Sequence, residues 1–394
     1  RTGLAQIDTA SYARIVHLSG QGDVTGLLAN AGALDHGASP QDHYLATLAR
    51  AMADFRSDRM ALCAQRLDSL RRAEPLPDER LLAVMHKFQA GVHERAGDRK
   101  AGLEEIDAGL ALADSARLPM ERTDLLVMKA EFLFADELNE AAMTLLHAAQ
   151  RLAERTRYAR GLCMVRINMG NFRYAQERWE EAWVDYRSAL HLATAGGFDL
   201  LAENCANNLG AVAASTGKYD LALHLFDSLL TSLGDHRPSF KAVLLGQVGY
   251  IRDMKGDHAG ALPLFHRAIA LSDSLGDARA AADTRQYLSS ALWEMGRKQE
   301  AIAERRKVLD AMIAAGDGHM EVETRWILWE LYEAIGDKDA ALHEARVMSL
   351  LDDSLEHARY NDRLALNEVR FETERKEHRL REQQFRFRRF SISW

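Results

Sequence analysis

Asn207 and Asn208 stand side by side in a helical run, and Asn168 with Asn171 holds a comparable place about 40 residues earlier. An amide side chain donates and accepts hydrogen bonds at once, which is what a surface needs to hold the backbone of an extended peptide. Tyr174 lies just beyond Asn171; Gln247 with Tyr250, then Gln286 with Tyr287, continue the row at the same beat. These residues suit a groove that binds a peptide or protein ligand. The same amides equally suit bonds to neighbouring helices or to water.

Catalytic chemistry finds less support. Cys63, Cys163 and Cys205 are lone cysteines inside apolar helical runs, without a CxxC pair or metal-ligand spacing, and are expected to pack as small apolar side chains. His86 and His93 fall seven apart on one helix face with no third convergent ligand, so they read as a surface pair. Glu104, Glu105, Glu180 and Glu181 are expected simply to solvate polar helix faces. GQGDVTG at Gly20 to Gly26 has no preceding strand and no Lys-Ser/Thr ending, so it reads as a turn between helices. HExxH, GxSxG, Walker A and kinase motifs are absent. The expectation is a chain without catalytic residues, metal or cofactor.

The elements that would position the amides are repeats. Leu201 to Asp235 reads as one complete helix–turn–helix unit, with Leu209, Gly210, Gly217, Tyr219, Ala222 and Phe226 at the spacing L-G-x6-G-x-Y-x2-A-x3-F. Gly210 and Ala222 are small where two antiparallel helices would cross, Leu209, Tyr219 and Phe226 fill the space around the crossing, and Gly217 ends the first helix. With the small residue of the second helix as ruler, Gly102, Ala141, Ala182, Ala222, Ala261, Ala301 and Ala341 recur every 39 to 41 residues. Gly217, Gly256, Gly296 and Gly336 lie five residues before the last four of them. Gly196, Gly234, Gly276 and Gly316 fall between units, three of them followed by Asp235, Asp277 and Asp317 as helix caps. The aromatic four residues after the ruler holds at Tyr186, Phe226 and Phe265 but becomes Arg305 and Ala345, so the later repeats are expected to pack differently or to expose that position.

This pattern resembles the tetratricopeptide repeat, in a long-period form similar to its kinesin-light-chain-like and peptide-sensing branches. The resemblance implies an all-α fold, a right-handed α-solenoid of about 7–8 helix-turn-helix repeats. Residues 1–77 read as degenerate N-terminal helical repeats, with Ala10–Leu18 and Val24–Ala31 as a first short helix pair and His43–Phe55 with Met60–Arg72 as a second; 78–351 form the repeat array proper. In that fold first helices line a concave groove, and the amide row belongs on it. Related repeats bind peptides through similar asparagines. Arg166 and Arg252 do not occupy the clamp position of the chaperone-tail binders.

Residues 352–394 contain no Gly or Pro through Phe390 and read as a long C-terminal helix, either a weak coiled coil that could support a homodimer or a cap on the last repeat. Leu366 to Gln384 resembles the connector that follows tetratricopeptide sensor regions in bacterial signalling proteins, where it leads to a transmembrane helix and a GGDEF diguanylate cyclase or a histidine kinase. That resemblance implies a periplasmic sensor with a membrane anchor beyond Trp394 and a signalling output further on. Five arginines near the end, from Arg379 to Arg389, argue for the cytoplasm instead. The second reading is a cytoplasmic assembly scaffold or peptide-responsive regulator. A net charge of −8 with 47% hydrophobic and 27% charged residues excludes a general nucleic-acid binder. The chain opens at Arg1 rather than Met, as a mature or trimmed piece would.

Overall fold

The computed structural model describes residues 7–351 apart from 38, 58, 136–137 and 235–236. The expected long helix, homodimer and membrane connector in 352–394, and Asp235 as a cap, lie outside the described residues. Every described element is a helix. In order they are α1 (Thr9–Gln21), α2 (Val24–Leu34), α3 (Pro40–Arg56), α4 (Met60–Arg71), α5 (Glu79–Arg95), α6 (Arg99–Ser115), α7 (Pro119–Ala135), α8 (Asn139–Thr156) and α9 (Ala159–Ala175). There follow α10 (Trp179–Gly196), α11 (Asp199–Ser215), α12 (Tyr219–Leu233), α13 (Pro238–Met254), α14 (His258–Ser274), α15 (Ala278–Glu294), α16 (Lys298–Ala315) and α17 (Gly318–Ile335). A last helix, α18, begins at 338 and is described to 351. The fold is the tetratricopeptide-type helical repeat that the spacing predicts.

The ruler residues explain the beat. Gly102, Ala182, Ala222, Ala261, Ala301 and Ala341 are all buried on second helices, whereas Ala141 is exposed and its neighbour Ala142 takes the buried place. Correcting that one register makes the steps 40, 40, 40, 39, 40 and 40 residues. Turn glycines behave as expected at Gly217, Gly256, Gly296 and Gly336, each left-handed in φ; between α10 and α11 it is Gly197, not Gly196, that takes this conformation. Asp277 and Asp317 cap the next helices by accepting from the amides of Ala280 and Met320 at 3.0 and 3.1 Å. The phosphate-loop look-alike is indeed a turn: Gly22 ends α1 in the left-handed region and Asp23 caps α2 through the Gly26 amide at 2.7 Å.

The described residues fall into two compact units, divided between Leu229 and Leu230. In the first, α5/α6, α7/α8 and α9/α10 are helical hairpins stacked on one another, and the first helices α3, α5, α7, α9 and α11 are successive neighbours in one layer. The expected first pair departs from this plan. While α2 packs on α3, α1 touches α2, α3 and also α11, ten helices further along. A helix of 13 residues is only about 20 Å long, so this layer of first helices curves around α1. The second unit repeats the hairpin plan in α13/α14 and α15/α16, with α13 beside α15.

Of the two outcomes expected at Arg305, the repeat takes the first and packs differently: Arg305 is 5% exposed, and its guanidinium donates to Gln286 Oε1 at 3.2 Å and to the Gln286 carbonyl at 3.4 Å. One expectation about charge fails. Glu105 does not merely solvate a surface, because it accepts from Arg71 at 2.6 Å and lies 2.6 Å from His86 Nδ1. His86 therefore belongs to a cross-helix pair rather than to a surface pair with His93.

Candidate functional site

Lys87, Asp124 and Arg160 sit on α5, α7 and α9, 37 and 36 residues apart, so successive first helices bring them together. The carboxylate of Asp124 accepts from Lys87 Nζ at 2.8 Å, Arg160 Nη1 at 3.2 Å and the Tyr158 hydroxyl at 3.0 Å. Burial works against ionising Asp124, yet the charges of Lys87 and Arg160 and the hydrogen bonds from Lys87 and Tyr158 hold its carboxyl below the usual carboxylate range. One repeat-edge away, Arg80 lies 3.4 Å from Glu121, and the Tyr12 hydroxyl of α1 donates to Glu121 at 2.9 Å.

These groups line a cavity of about 750 Å³ within the first unit, between α1 and the layer of first helices. Its walls are mainly apolar and rich in flexible or aromatic side chains: Met52, Phe55, Phe88, Met128, Met164 and Phe198. Thioethers and rings of this kind adapt to apolar side chains of a ligand, while the fixed ion pairs orient it. The α1 helix closes one side. Tyr12 is held by Glu121 and by the Arg80 guanidinium 5.5 Å from its ring centre, and at the far end Gln21 Nε2 donates to the Gly197 carbonyl at 3.3 Å.

Where the cavity ends the predicted amides begin. Asn168 donates to Glu131 Oε1 at 2.8 Å and to the Met164 carbonyl at 3.1 Å, and both Glu131 and Met164 line the cavity. Asn171 Oδ1 accepts from the Tyr186 hydroxyl at 2.8 Å and from Asn208 Nδ2 at 3.3 Å, and Asn207 Nδ2 is 3.5 Å from Asn208 Oδ1. The carbonyl oxygen of the Asn207 side chain is buried without a hydrogen-bond partner. Tyr174 shares a hydrogen bond with Ser215 at 2.9 Å and meets Trp179 edge-on. So five predicted residues, Asn168, Asn171, Tyr174, Asn207 and Asn208, fall in the first unit and are largely bonded to each other or to neighbouring helices.

The remaining four lie in the second unit. Tyr250 and Tyr287 have ring centres 4.8 Å apart, Gln286 is engaged by Arg305, and Gln247 is half-buried on α13. Lys87, Asp124, Glu131 and Arg160 were not among the residues expected from the sequence, although the spacing of Lys87, Asp124 and Arg160 carried the signal: charges recurring near the repeat period inside apolar helix faces. Among the described residues no cluster of His, Cys, Asp or Glu is placed to hold a metal, and no helix is long and apolar enough to cross a membrane.

No protein-family model matches the chain, and no curated protein matches it by sequence. Solved structures do match its fold. A Rap protein complexed with competence and sporulation factor is 12% identical, with a TM-score of 0.64 over 88% of this chain and 98% of that one. The apo form of the quorum sensor NprR from B. thuringiensis is 16% identical, with a TM-score of 0.62 over 87% and 96%. The Rap conjugation gene regulator of plasmid pLS20, in complex with the Phr* peptide, is 13% identical, with a TM-score of 0.57 over 89% and 94%. At these identities the likeness is one of fold.

Proposed function

We propose that this chain is a non-catalytic, peptide-responsive regulator that binds a short peptide between α1 and the first helices of the N-terminal unit. The observation that carries the reading is the 750 Å³ cavity, apolar in its walls, polar at Asp124 and continued by the amides from Asn168 to Asn208. A cavity of that size matches the volume of a drug-sized ligand or a few side chains of a peptide. The fold neighbour solved in complex with the Phr* peptide adds support. Of the two readings drawn from the sequence, the cytoplasmic peptide-responsive regulator is the one we favour. Coupling to a diguanylate cyclase or kinase, a membrane anchor and a homodimer all rest on the sequence pattern of 352–394, and stay as further proposals.

In this reading a peptide lays apolar side chains against Met128, Met164 and Phe88 while its backbone meets the amides. Asn207 and Asn208 would exchange their present bonds for bonds to the ligand, at little net cost because each lost hydrogen bond is replaced. The test is selection of displayed random peptides on the purified chain. Wild type should yield binders, and Met128→Trp, which fills the cavity, should weaken them at least tenfold with helicity unchanged. Failure of wild type to select any peptide would sink the reading.

A further inference from the structure

Every lining carboxylate except one is paired. Glu121 has Arg80, and Asp124 has both Lys87 and Arg160, whereas Glu131 has no Lys or Arg at ion-pair distance among the described residues. Among the described residues its one hydrogen bond is from the neutral Asn168 amide to Oε1, which leaves Oε2 for a ligand. Glu131 lies on α7 at the end of the cavity where the amide row starts, and its side chain is reached by solvent.

The cations already present do not serve it. Lys87 and Arg160 share Asp124, and Arg80 is shared between Glu121 and the Tyr12 ring. A carboxylate at the rim of an apolar cavity, with no cation beside it, draws in an opposite charge carried by a ligand. We propose, building on the peptide reading above, that Glu131 is the receptor for a cationic group of the ligand: a lysine or arginine side chain, or the free amino terminus of the peptide. The rest of the ligand then lies against the apolar wall, with its backbone passing to Asn168 and Asn171.

The electrostatics of the cavity agree with this placement. Solvent reaches the Glu131 side chain, but the helices crowded around it strip part of its hydration and push the carboxyl up, toward about 7; Glu94 of α5 and Asp124 of α7 push the same way, while the Asn168 hydrogen bond and Lys87 of α5 act against it. His17 of α1 and Arg56 of α3 also line the cavity, as do Arg80 of α5, Glu121 of α7 and Arg160 of α9. A bound cation favours the ionised carboxylate. Affinity for a ligand that carries a lysine or arginine should therefore be higher above about 7 and fall as the carboxylate takes up a proton below it.

The experiment compares wild type with Glu131→Gln, which keeps the size and the Asn168 hydrogen bond. Random peptides with free and with acetylated amino termini are displayed in parallel, and octylammonium is titrated as a probe independent of any peptide. The expected result is a basic residue fixed at one position of the selected peptides, or binders confined to the free-terminus library, which decides between the two sources of charge. Those binders should bind Glu131→Gln at least tenfold more weakly, and their affinity for Glu131→Gln should no longer change between pH 6 and pH 8. Peptides selected with no fixed positive charge, or bound equally by Glu131→Gln, would overturn the cation site and leave the peptide reading intact. If no peptide is selected but octylammonium binds wild type and not Glu131→Gln, the cation site stands and the peptide reading falls. If octylammonium also fails, both fall.

Discussion

Gly210 faces Phe226 so closely that a methyl group on Gly210 would lie 2.4 Å from Phe226 Cε1. The two are 16 residues apart across one hairpin, and the same separation recurs with the sizes traded. Gly170 faces Tyr186 and Gly249 faces Phe265 in the same way. Where the second helix offers only Leu146 or Ile106, the first helix offers Ala130 or Ala90 in the same buried cluster. In the drifting repeats Ser289 stands opposite Arg305 in sequence, and Trp329 opposite Ala345. Constant volume at the helix crossing is what the interior demands.

Gly210→Ala is expected to destabilise the chain by about 1–3 kcal/mol through overpacking. Adding Phe226→Leu should recover part of that loss, because the pair then has the sizes of Ala130 and Leu146. Urea unfolding of both single variants and the double variant measures the coupling; strictly additive losses would show that the two sites do not share one volume.

Arg325 and Glu344 carry a second recurrence. Arg325 Nη1 is 2.6 Å from Glu344 Oε2, both side chains are buried, and 19 residues separate them, as they separate His86 from Glu105, Arg166 from Asp185 and Arg285 from Glu304. The α7/α8 hairpin places Leu126 and Leu145 at that separation, in one apolar cluster. Glu344→Leu alone should cost about 2 kcal/mol or more, because Arg325 stays buried with Glu321 as its remaining partner at 2.8 Å. Arg325→Leu together with Glu344→Leu should cost less than the single change. Thermal and urea unfolding of the three variants decide the order.

Much of this was legible in the residues. The beat of small residues and turn glycines located the hairpins, since helix crossings and left-handed turns each admit few residue types. Its two one-residue errors, Ala141 for Ala142 and Gly196 for Gly197, arose where two identical residues stand side by side and only burial or backbone conformation tells them apart. Glu105 was misread because the pattern of one helix does not show what the next helix offers in return. The cavity was not legible at all: it depends on α1 folding across α7 and on to α11, ten helices away, a contact that no local spacing encodes. Of the two roles open to the amides, bonds between neighbouring helices are the one displayed, with Asn168 on Glu131 and Asn171 on Tyr186 and Asn208.

Glu177 takes a left-handed backbone, φ 58°, at the turn where the next repeats have Gly217, Gly256 and Gly296. A side chain in that region costs roughly 1 kcal/mol that glycine avoids. Glu177→Gly should therefore stabilise the chain by about 0.5–1 kcal/mol, a gain reduced by the greater freedom of glycine when unfolded. A lower unfolding midpoint for this variant would refute the argument.

Asp124 is both a floor of the cavity and a knot between three repeats. Asp124→Asn removes the charge that Lys87 and Arg160 share, and should destabilise the first unit by about 3 kcal/mol. Hydrogen exchange should show the loss first in α5, α7 and α9. A change spread evenly over the second unit as well would mean that Asp124 does not act locally.

Glu105 gives the chain a defined sensitivity to acid. Burial opposes its ionisation, but hydrogen bonds from His86 and Arg71 and the Arg71 charge outweigh it and hold the carboxyl at about 2. In the unfolded chain a glutamate titrates at about 4.3. Because the folded value is the lower one, the contribution to stability is fully present above the unfolded value and is lost as pH falls from about 5 toward 2. Its size is on the order of 2 kcal/mol. Glu105→Gln should be less stable than wild type at pH 7 and should lose less stability on acidification, so that the two unfolding curves converge near pH 2 to 3. Parallel curves over that range would show that Glu105 contributes nothing to the acid response.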